Sequence, residues 1–372
     1  MENVRFRRLY ENEAINLKKL SVCVLFGGIS PEHEVSLRSA EYVLGNMDPE
    51  KCNIFPVGIT KSGDWVLFGG TDYSMLPSGK WLEHPDNRRA AISPVRGQGL
   101  LSFEGDCVVR EWIDVVFPVL HGENGEDGAM QGLLQLAGIP YVGPHVSASA
   151  VAMDKTLTKL VIDQAGVTQA AWLLVRTREL GSQMDKIIES VEAKFHYPVF
   201  VKPAGTGSSV GVSKVSDREA LKGALVQAGN YDEKILVEEF VCGREVEVAV
   251  LGNESPVASI CGEIDSGADF YDYNAKYITD TSVAYIPARV PEDVAEQVRD
   301  LAVKVYTAIG CQGLSRVDFF VTYEDNRVVF NEINTIPGFT SISMYPKLFA
   351  ASGIPGGQLI DELIRLAMES KK

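Results

Sequence analysis

Cysteine pairs at disulfide-forming or metal-binding spacing are missing from this chain of 372 residues. Its six cysteines, Cys23, Cys52, Cys107, Cys242, Cys261 and Cys311, are scattered with no CxxC among them. That excludes a disulfide scaffold and a zinc knuckle, and reads as reduced, buried thiols of a cytoplasmic protein. Long apolar runs are absent too, so no bilayer-spanning helix is expected. Positive charge is in deficit, with 35 Lys and Arg against 50 Asp and Glu and a net charge of -15. A field of that sign argues against nucleic acid or an anionic membrane as partner, so any anionic ligand must be held by local groups. No internal repeat or low-complexity tract is visible. Residues 1–20 are charged and lack the apolar stretch of a secretory signal, and are expected to form a peripheral extension.

The length exceeds what one core usually holds, so two or three domains are expected. The most informative stretch runs from Gly313 to Ser343. Arg316–Tyr323 is rich in β-branched and aromatic residues, Glu324-Asp325-Asn326 is turn material, and Arg327–Asn334 is extended again, which predicts a β-hairpin. A three-residue loop sets Tyr323 across from Arg327, and therefore Asp318 across from Glu332 and Asn334 across from Arg316. Asp318, Glu332 and Asn334 then share one face of the ribbon. Two opposed carboxylates, with Cβ atoms roughly 5 Å apart, repel unless a cation lies between them. Two carboxylates and an amide suit a hard, partly hydrated ion that completes its shell with phosphate oxygens, which describes magnesium. A solvated acidic face is the alternative, but Val317, Phe319, Val328 and Phe330 make the ribbon apolar enough to be buried, where unpaired acids are costly. Arg316 beside the acids is placed to hold a transferring phosphate or an oxyanion. The following Pro337-Gly338-Phe339-Thr340-Ser341-Ile342-Ser343 offers hydroxyls and backbone N–H groups to a small anion, or is an ordinary loop.

Earlier in the chain, Val22–Phe26 reads as a buried parallel strand entering the Gly27-Gly28 turn. Ser30 is expected to cap a helix whose first turn holds Pro31, Glu32, His33 and Glu34, a place for acids that complement a helix dipole and also a place where doubly wound folds bind ligands. Val57–Ile59 and Val115–Leu120 read as further strands, with loops and edge strands over residues 69–110. The second of those strands ends in His121-Gly122-Glu123-Asn124-Gly125-Glu126-Asp127-Gly128, before a helix over Ala129–Ala137. His121 is equally readable as a satisfied structural histidine. Tyr141–Pro144 marks a boundary, and one helix over Ser147–Gln164 carries Asp154 and Lys155. An apolar strand then delivers Lys202 into Ala204-Gly205-Thr206-Gly207-Ser208-Ser209-Val210-Gly211, a loop able to approach phosphates closely although it lacks the GK[ST] ending of a P-loop. Ile235–Val241 is another apolar strand, carrying Glu238 and Glu239, acceptors for a purine amino group or ribose hydroxyls, or an exposed edge.

Taken together, GGISPEHEVSLRSA, LHGENGEDGAMQGLLQLAGIPYVG, the MDK at Met153, VKPAGTGSSVGVSKV, FYDYNAKY, GLSRVDFFV and NEINTIPGFTSIS make the chain resemble the D-alanine:D-alanine ligases of the ATP-grasp superfamily. The resemblance covers roughly residues 21–369 in the family's order. It implies an α/β fold, α+β in the ATP-grasp part, with three domains: a doubly wound parallel-sheet domain over 21–143, a central ATP-grasp domain over 144–240 and a C-terminal catalytic domain over 241–372. It implies phosphorylation of one D-alanine by ATP and attack by the amine of a second, for peptidoglycan precursors, in a cytoplasmic homodimer.

Carried residue by residue, the resemblance gives Glu32 to the ammonium of the first D-alanine, with His121 beside that subsite. Lys155 and Lys202 contact phosphates, with Ser208 and Ser209 in the loop above them. Glu238 meets the adenine amine and Glu245 the ribose, and Glu239, Val241 and Lys276 also belong to the ATP set. Ser208, Glu32 and Tyr277 form a closing network. Asp318, Glu332 and Asn334 bind two magnesium ions, for which manganese substitutes. Arg316 and the Gly338 amide stabilise a tetrahedral intermediate, and Ser343 binds the second D-alanine. AGTGSS departs from the pair common before GSS in relatives, which leaves that loop's contacts open. A D-alanine:D-lactate ligase and a non-catalytic magnesium–ATP sensor remain alternatives. Tyr277 favours dipeptide formation over the first, and the intact ligand set with Arg316 weighs against the second.

Overall fold

The computed structural model describes residues 19–265 and 283–370. The reading of residues 1–20 as an extension therefore lies almost wholly outside the described residues. Three sheets carry the chain. The first contains β1 (Leu20–Gly27), β2 (Cys52–Ile59), β3 (Trp65–Leu67), β4 (Arg88–Ile92), β5 (Leu100–Glu104), β6 (Cys107–Glu111) and β7 (Val115–Leu120), in the order β6-β5-β4-β3-β2-β1-β7. Only β2, β1 and β7 run parallel, and the rest form an antiparallel extension. The strands of the parallel part are near-continuous apolar runs because helices cover both their faces. β1 lies between β2 and β7, so the chain reverses direction across the sheet there, and a crevice opens beyond the carboxyl ends of β1 and β7.

The second sheet has the order β10-β9-β11-β8, from β8 (Trp172–Arg176), β9 (Val199–Pro203), β10 (Ser213–Val215) and β11 (Lys234–Glu239). The third is β15-β14-β12-β16-β17, with β13 attached to β12; its strands are β12 (Gly243–Leu251), β13 (Val257–Ala258), β14 (Gly262–Asp265), β15 (Val283–Tyr285), β16 (Leu314–Thr322) and β17 (Val328–Asn334).

Helices α1 (His33–Asn46) and α2 (Ala129–Ala137) flank the first sheet, followed by α3 (Val146–Met153) and α4 (Lys155–Ala165). α5 (Leu180–Lys194) and α6 (Arg218–Gly229) cover the second sheet, and α7 (Glu292–Ile309) covers the third through Val294, Val298, Ala302, Val305, Tyr306 and Ile309, one helical stripe. α3 and α4 join α7 on that sheet, through Ala148 and Ile162. The terminal helices α8 (Met344–Ala351) and α9 (Gly356–Glu369) return to the first sheet, where Phe349, Leu359 and Leu363 share a core with Val24, Phe26 and Phe117.

Four local expectations need correction. The helix expected over Ser147–Gln164 is two helices, because Asp154 takes an extended backbone (ψ 99°) and its Oδ1 accepts from the Thr156 and Leu157 N–H groups at 3.0 and 3.2 Å. An aspartate that caps the following turn competes with helix continuation. Ser30 does not cap a helix that contains Pro31: it accepts from the Glu32 N–H at 3.1 Å in a turn, and the helix starts at His33. Residues 323–326 form a four-residue hairpin loop, with Thr322 rather than Tyr323 bonded across to Arg327, because Asn326 adopts φ +53° and Thr322 Oγ1 takes the Arg327 N–H at 2.8 Å. A bulge at Asn331 restores the register, so Asp318 stands opposite Glu332 and Asn334 opposite Arg316 as expected. Finally, Cys107 and Cys242 are exposed rather than buried, the first on an edge strand and the second in the link between β11 and β12.

Candidate active site

The three sheets meet around one cleft of about 1490 Å³, ample for a nucleotide and two small substrates together. Glu32, His121, Lys155, Lys202, Ser208, Ser209, Glu238, Glu239, Val241, Glu245, Arg316, Glu332, Asn334, Gly338 and Ser343 all line it. Asp318, completely buried, sits beneath Arg316. Lys276 and Tyr277 lie outside the described residues.

At the crevice of the first sheet, backbone geometry demands glycine. A Cβ on Gly27 (φ +86°) would stand 2.1 Å from the Ile59 carbonyl oxygen, and one on Gly122 (φ +72°) would meet Ser30 Oγ at 2.6 Å and Glu32 Oε2 at 2.7 Å. These turns let Glu32 and His121 lie together at the end of the sheet. Assigning Nδ1–H to His121, which faces the Ile336 carbonyl at 3.0 Å, leaves Nε2 to accept from Ser39 Oγ at 3.1 Å. Ser39 Oγ in turn accepts from the Phe339 N–H at 3.1 Å. Burial holds the ring below its ordinary pKa, against the pull of Glu32, so it is a neutral tie between α1, β7 and the 335–339 loop. The structural reading of His121 therefore holds alongside its place in the cleft. Glu126, which sequence reasoning passed over, is half-buried near it: its Oε2 accepts from the Gly122 N–H at 2.9 Å. Burial, with Glu32 second, pushes its carboxyl up to about 8.

The glycine loop does bridge a hairpin, between β9 and β10, and it also reaches across the cleft. Ser208 and Ser209 take left-handed backbone (φ +48° and +59°), strain of the kind that gathers at ligand-binding loops. Ser208 Oγ donates to Glu32, 176 residues away, and Lys155 Nζ donates to the Thr206 carbonyl at 2.6 Å.

On the second-sheet wall, Glu238 is buried between two lysines. Lys202 Nζ stands 2.5 Å from Oε2, and Lys159 pairs with Oε1. Burial works to raise the Glu238 carboxyl, but the two ammonium groups outweigh it and hold it down at about 2. Glu239 points the other way and accepts from the Ala171 N–H at 2.8 Å.

The third-sheet wall inverts this pattern. Register places Glu247 of β12 and Glu332 of β17 on either side of Asp318 in β16, a row of three acids across three strands. Arg316 lies among them: Nε and one terminal nitrogen fork onto Asp318 at 2.8 and 2.7 Å, and Nε is 3.3 Å from Glu247. Burial opposes the guanidinium charge, yet Asp318 and Glu247 overcome it and keep the group firmly cationic. Asn334 Nδ2 donates to Asp318 at 3.0 Å. Glu247 was missed from the sequence, although acids at 245 and 247 in an otherwise apolar strand share a face and were a readable signal. Among the described residues no three His, Cys, Asp or Glu side chains converge on a point, so a cation here needs the Asn334 amide oxygen as a donor. Two carboxylates and an amide on one face remain a fitting set for a hard, partly hydrated cation.

At the last corner, Ser343 precedes α8 and its Oγ lies 2.7 Å from Thr340 Oγ1 and accepts from the Thr340 N–H at 3.0 Å. A Cβ on Gly338 would stand 3.0 Å from that oxygen, a tight contact that Ser343 would have to relieve by a few tenths of an ångström.

Two sheets closing on a nucleotide-sized cleft, with a lysine-bearing glycine loop on one and an acid-bearing hairpin on the other, define an ATP-grasp protein. Comparison with known proteins gives the family. Residues 21–144 match the model of the D-ala D-ala ligase N-terminus and residues 161–365 that of the C-terminus. The D-alanine–D-alanine ligase of Acetivibrio thermocellus is 50% identical, the match covering 94% of this chain and 96% of that protein, and that of Caldicellulosiruptor bescii is 48% identical over 96% and 97%. Among solved structures, the VanG D-Ala:D-Ser ligase from Enterococcus faecalis superposes with TM-score 0.85 at 38% identity, covering 94% of this chain and all of that one. The D-alanine–D-alanine ligase from Coxiella burnetii gives 0.81 at 35%, covering 95% of each. The chain belongs to the D-alanine–D-alanine ligase family.

Proposed function

We propose that the protein joins two D-alanine molecules, with ATP consumed to ADP and phosphate, through a D-alanyl phosphate. The observation that carries this reading is one cleft with a lysine-lined wall facing an acid-lined wall, and Glu32 at its end beneath Ser208. A carboxylate is a poor electrophile. Transfer of the γ-phosphoryl group to its oxygen releases ADP and creates a leaving group; attack of the second amine on the acyl carbon then expels phosphate.

In this reading Glu32 holds the first ammonium, and Lys155, Lys202, Ser208 and Ser209 hold phosphates. Glu238 meets the adenine amine and Glu245 the ribose, with Glu239, Val241 and Lys276 in the same ATP set. Arg316 and the Gly338 N–H stabilise the oxyanion of the tetrahedral intermediate, donors fixed in advance by their surroundings. Ser343 receives the carboxylate of the second D-alanine. Asp318, Glu332 and Asn334 would hold two magnesium ions, or manganese, which when bound neutralise charge on the phosphate oxygens. The Ser208–Glu32 bond, extended to Tyr277, closes the site and keeps water from the acyl phosphate. The working form is a cytoplasmic homodimer, and no described helix is long and apolar enough to cross a membrane.

The test is phosphate release from ATP with a panel of D-alanine, D-serine and D-lactate as acceptors. Release with D-alanine alone, with dipeptide formed, is the expected outcome. A preference for D-serine or D-lactate moves the protein to a different acceptor class, and nucleotide binding with no release under any acceptor makes it a sensor.

A further inference from the structure

The buried ammonium of Lys159 is not explained by direct contact with any ligand. Its side chain is 2% exposed and does not line the large cleft, whereas Lys155, one turn earlier on the same face of α4, does. Burying an ammonium is expensive unless a partner and good geometry offset it, and the partner is Glu238. Glu238 already has Lys202 on its other oxygen. A void of only about 10 Å³, bounded by Lys155, Lys159, Lys202, Glu238 and Glu332, adjoins the group. That is room for about one water, which brings no charge to replace either cation.

We propose that Lys159 is a positioning residue that keeps Glu238 charge-balanced when Lys202 turns from it to the nucleotide phosphates. This rests on the nucleotide site proposed above. Lys202 is the mobile partner, since it lies at the cleft surface at the end of β9, while Lys159 is fixed in the interior. With both lysines present, Lys202 leaves a carboxylate that still has a cation. Without Lys159, Lys202 is the sole counter-charge of a buried carboxylate, and releasing it to a phosphate strands that charge.

The experiment measures dissociation constants of ADP and adenosine for the wild type, Lys159→Met and Lys159→Arg. Lys159→Met is expected to weaken ADP at least about tenfold and adenosine less than about twofold, because adenosine asks nothing of Lys202. Lys159→Arg is expected to return ADP to within about threefold of wild type. Proportional loss of both ligands, or no loss of either, overturns the proposal. Should Lys159→Met fail to fold, the pair Glu238→Gln and Glu238→Gln/Lys159→Met decides it. Their ADP constants are expected to agree, as there is no carboxylate left to balance, and a further tenfold loss in the double variant overturns the proposal. A wild-type chain that binds neither ligand sinks the nucleotide-site reading itself, a result distinct from either outcome.

Discussion

The two walls of the cleft solve opposite electrostatic problems with the same materials. On the second-sheet side one acid, Glu238, sits among three lysines, Lys155, Lys159 and Lys202. On the third-sheet side one arginine, Arg316, sits among three acids, Glu247, Asp318 and Glu332. Glu238 is buried and Arg316 half-buried, each is doubly paired, and the charge in excess faces the cleft through Lys155 and Lys202 on one side and Glu247 and Glu332 on the other. In a chain of net charge -15 the cationic wall is the exceptional one, built residue by residue against the overall field. In the proposed function one wall would receive anionic oxygens and the other cations, so that a triphosphate with its metals would satisfy both at once.

The largest effect is expected from weakening the acid wall. Glu332→Gln keeps size and strand position but removes one of the excess charges, and is expected to lower turnover by about 10²–10³-fold with little change in melting temperature. The magnesium concentration giving half-maximal rate should rise as well. A variant that forms dipeptide at the wild-type rate, with an unchanged magnesium requirement, breaks the assignment of that wall to cations.

The lysine wall should respond in the other coordinate. Lys202→Met removes a phosphate-facing cation while Lys159 still balances Glu238, so KM for ATP is expected to rise about 10–100-fold, with the magnesium requirement untouched. If both variants moved both parameters equally, the walls would not be separable and the comparison would fail.

Much of the acid wall was legible in the sequence, and less of the lysine wall. The hairpin announces itself through turn chemistry flanked by β-branched runs, and its face follows from a period of two. The predicted pairing of Asp318 with Glu332 came out right because a longer loop and the Asn331 bulge offset each other, a cancellation that strand pattern alone cannot reveal. Glu247 joins the row only through pairing of β12 with β16, about seventy residues on, and such pairing leaves no local trace. Lys159 was invisible for the same reason. Its helical position reads as a solvated lysine, and only the approach of β11 makes it an interior cation. Asp154 could have been read as a helix stop, since aspartate before Lys-Thr is a capping signal. The return of α8 and α9 to the first sheet is tertiary in origin and followed from no motif.

A smaller effect, on stability, separates the walls by pH. The Glu238 carboxyl is held at about 2 in the folded chain against an ordinary value of 4.5. A depressed carboxylate contributes stability that is present above the ordinary value and is lost as pH falls from about 4.5 toward 2. The advantage of wild type over Glu238→Gln is therefore expected to shrink by roughly 3 kcal/mol as pH falls through that window, most of it above pH 2.5, as thermal melts between pH 7 and pH 2.5 would record. A gap that stays constant with pH would mean that the lysines do not hold Glu238 ionised.

Between the walls, at the floor near Glu32, half-buried Glu126 shifts in the opposite direction, and solvent at its exposed side reduces the expected effect. Burial first and the neighbouring Glu32 second raise its carboxyl from 4.5 to about 8, against the Gly122 and Ile336 N–H groups that favour the charged form. The folded chain thus binds a proton that the unfolded chain releases, so stability is greatest below about 4.5 and declines as pH rises toward 8. Glu126→Gln keeps an acceptor for the Gly122 N–H, bonded at 2.9 Å, and removes the ionisation. Its melting temperature is expected to match wild type near pH 5 and to exceed it by a few degrees near pH 9. Parallel pH curves for the two proteins would show that the floor carries its charge at neutral pH, and that it belongs electrostatically with the acid wall rather than apart from both.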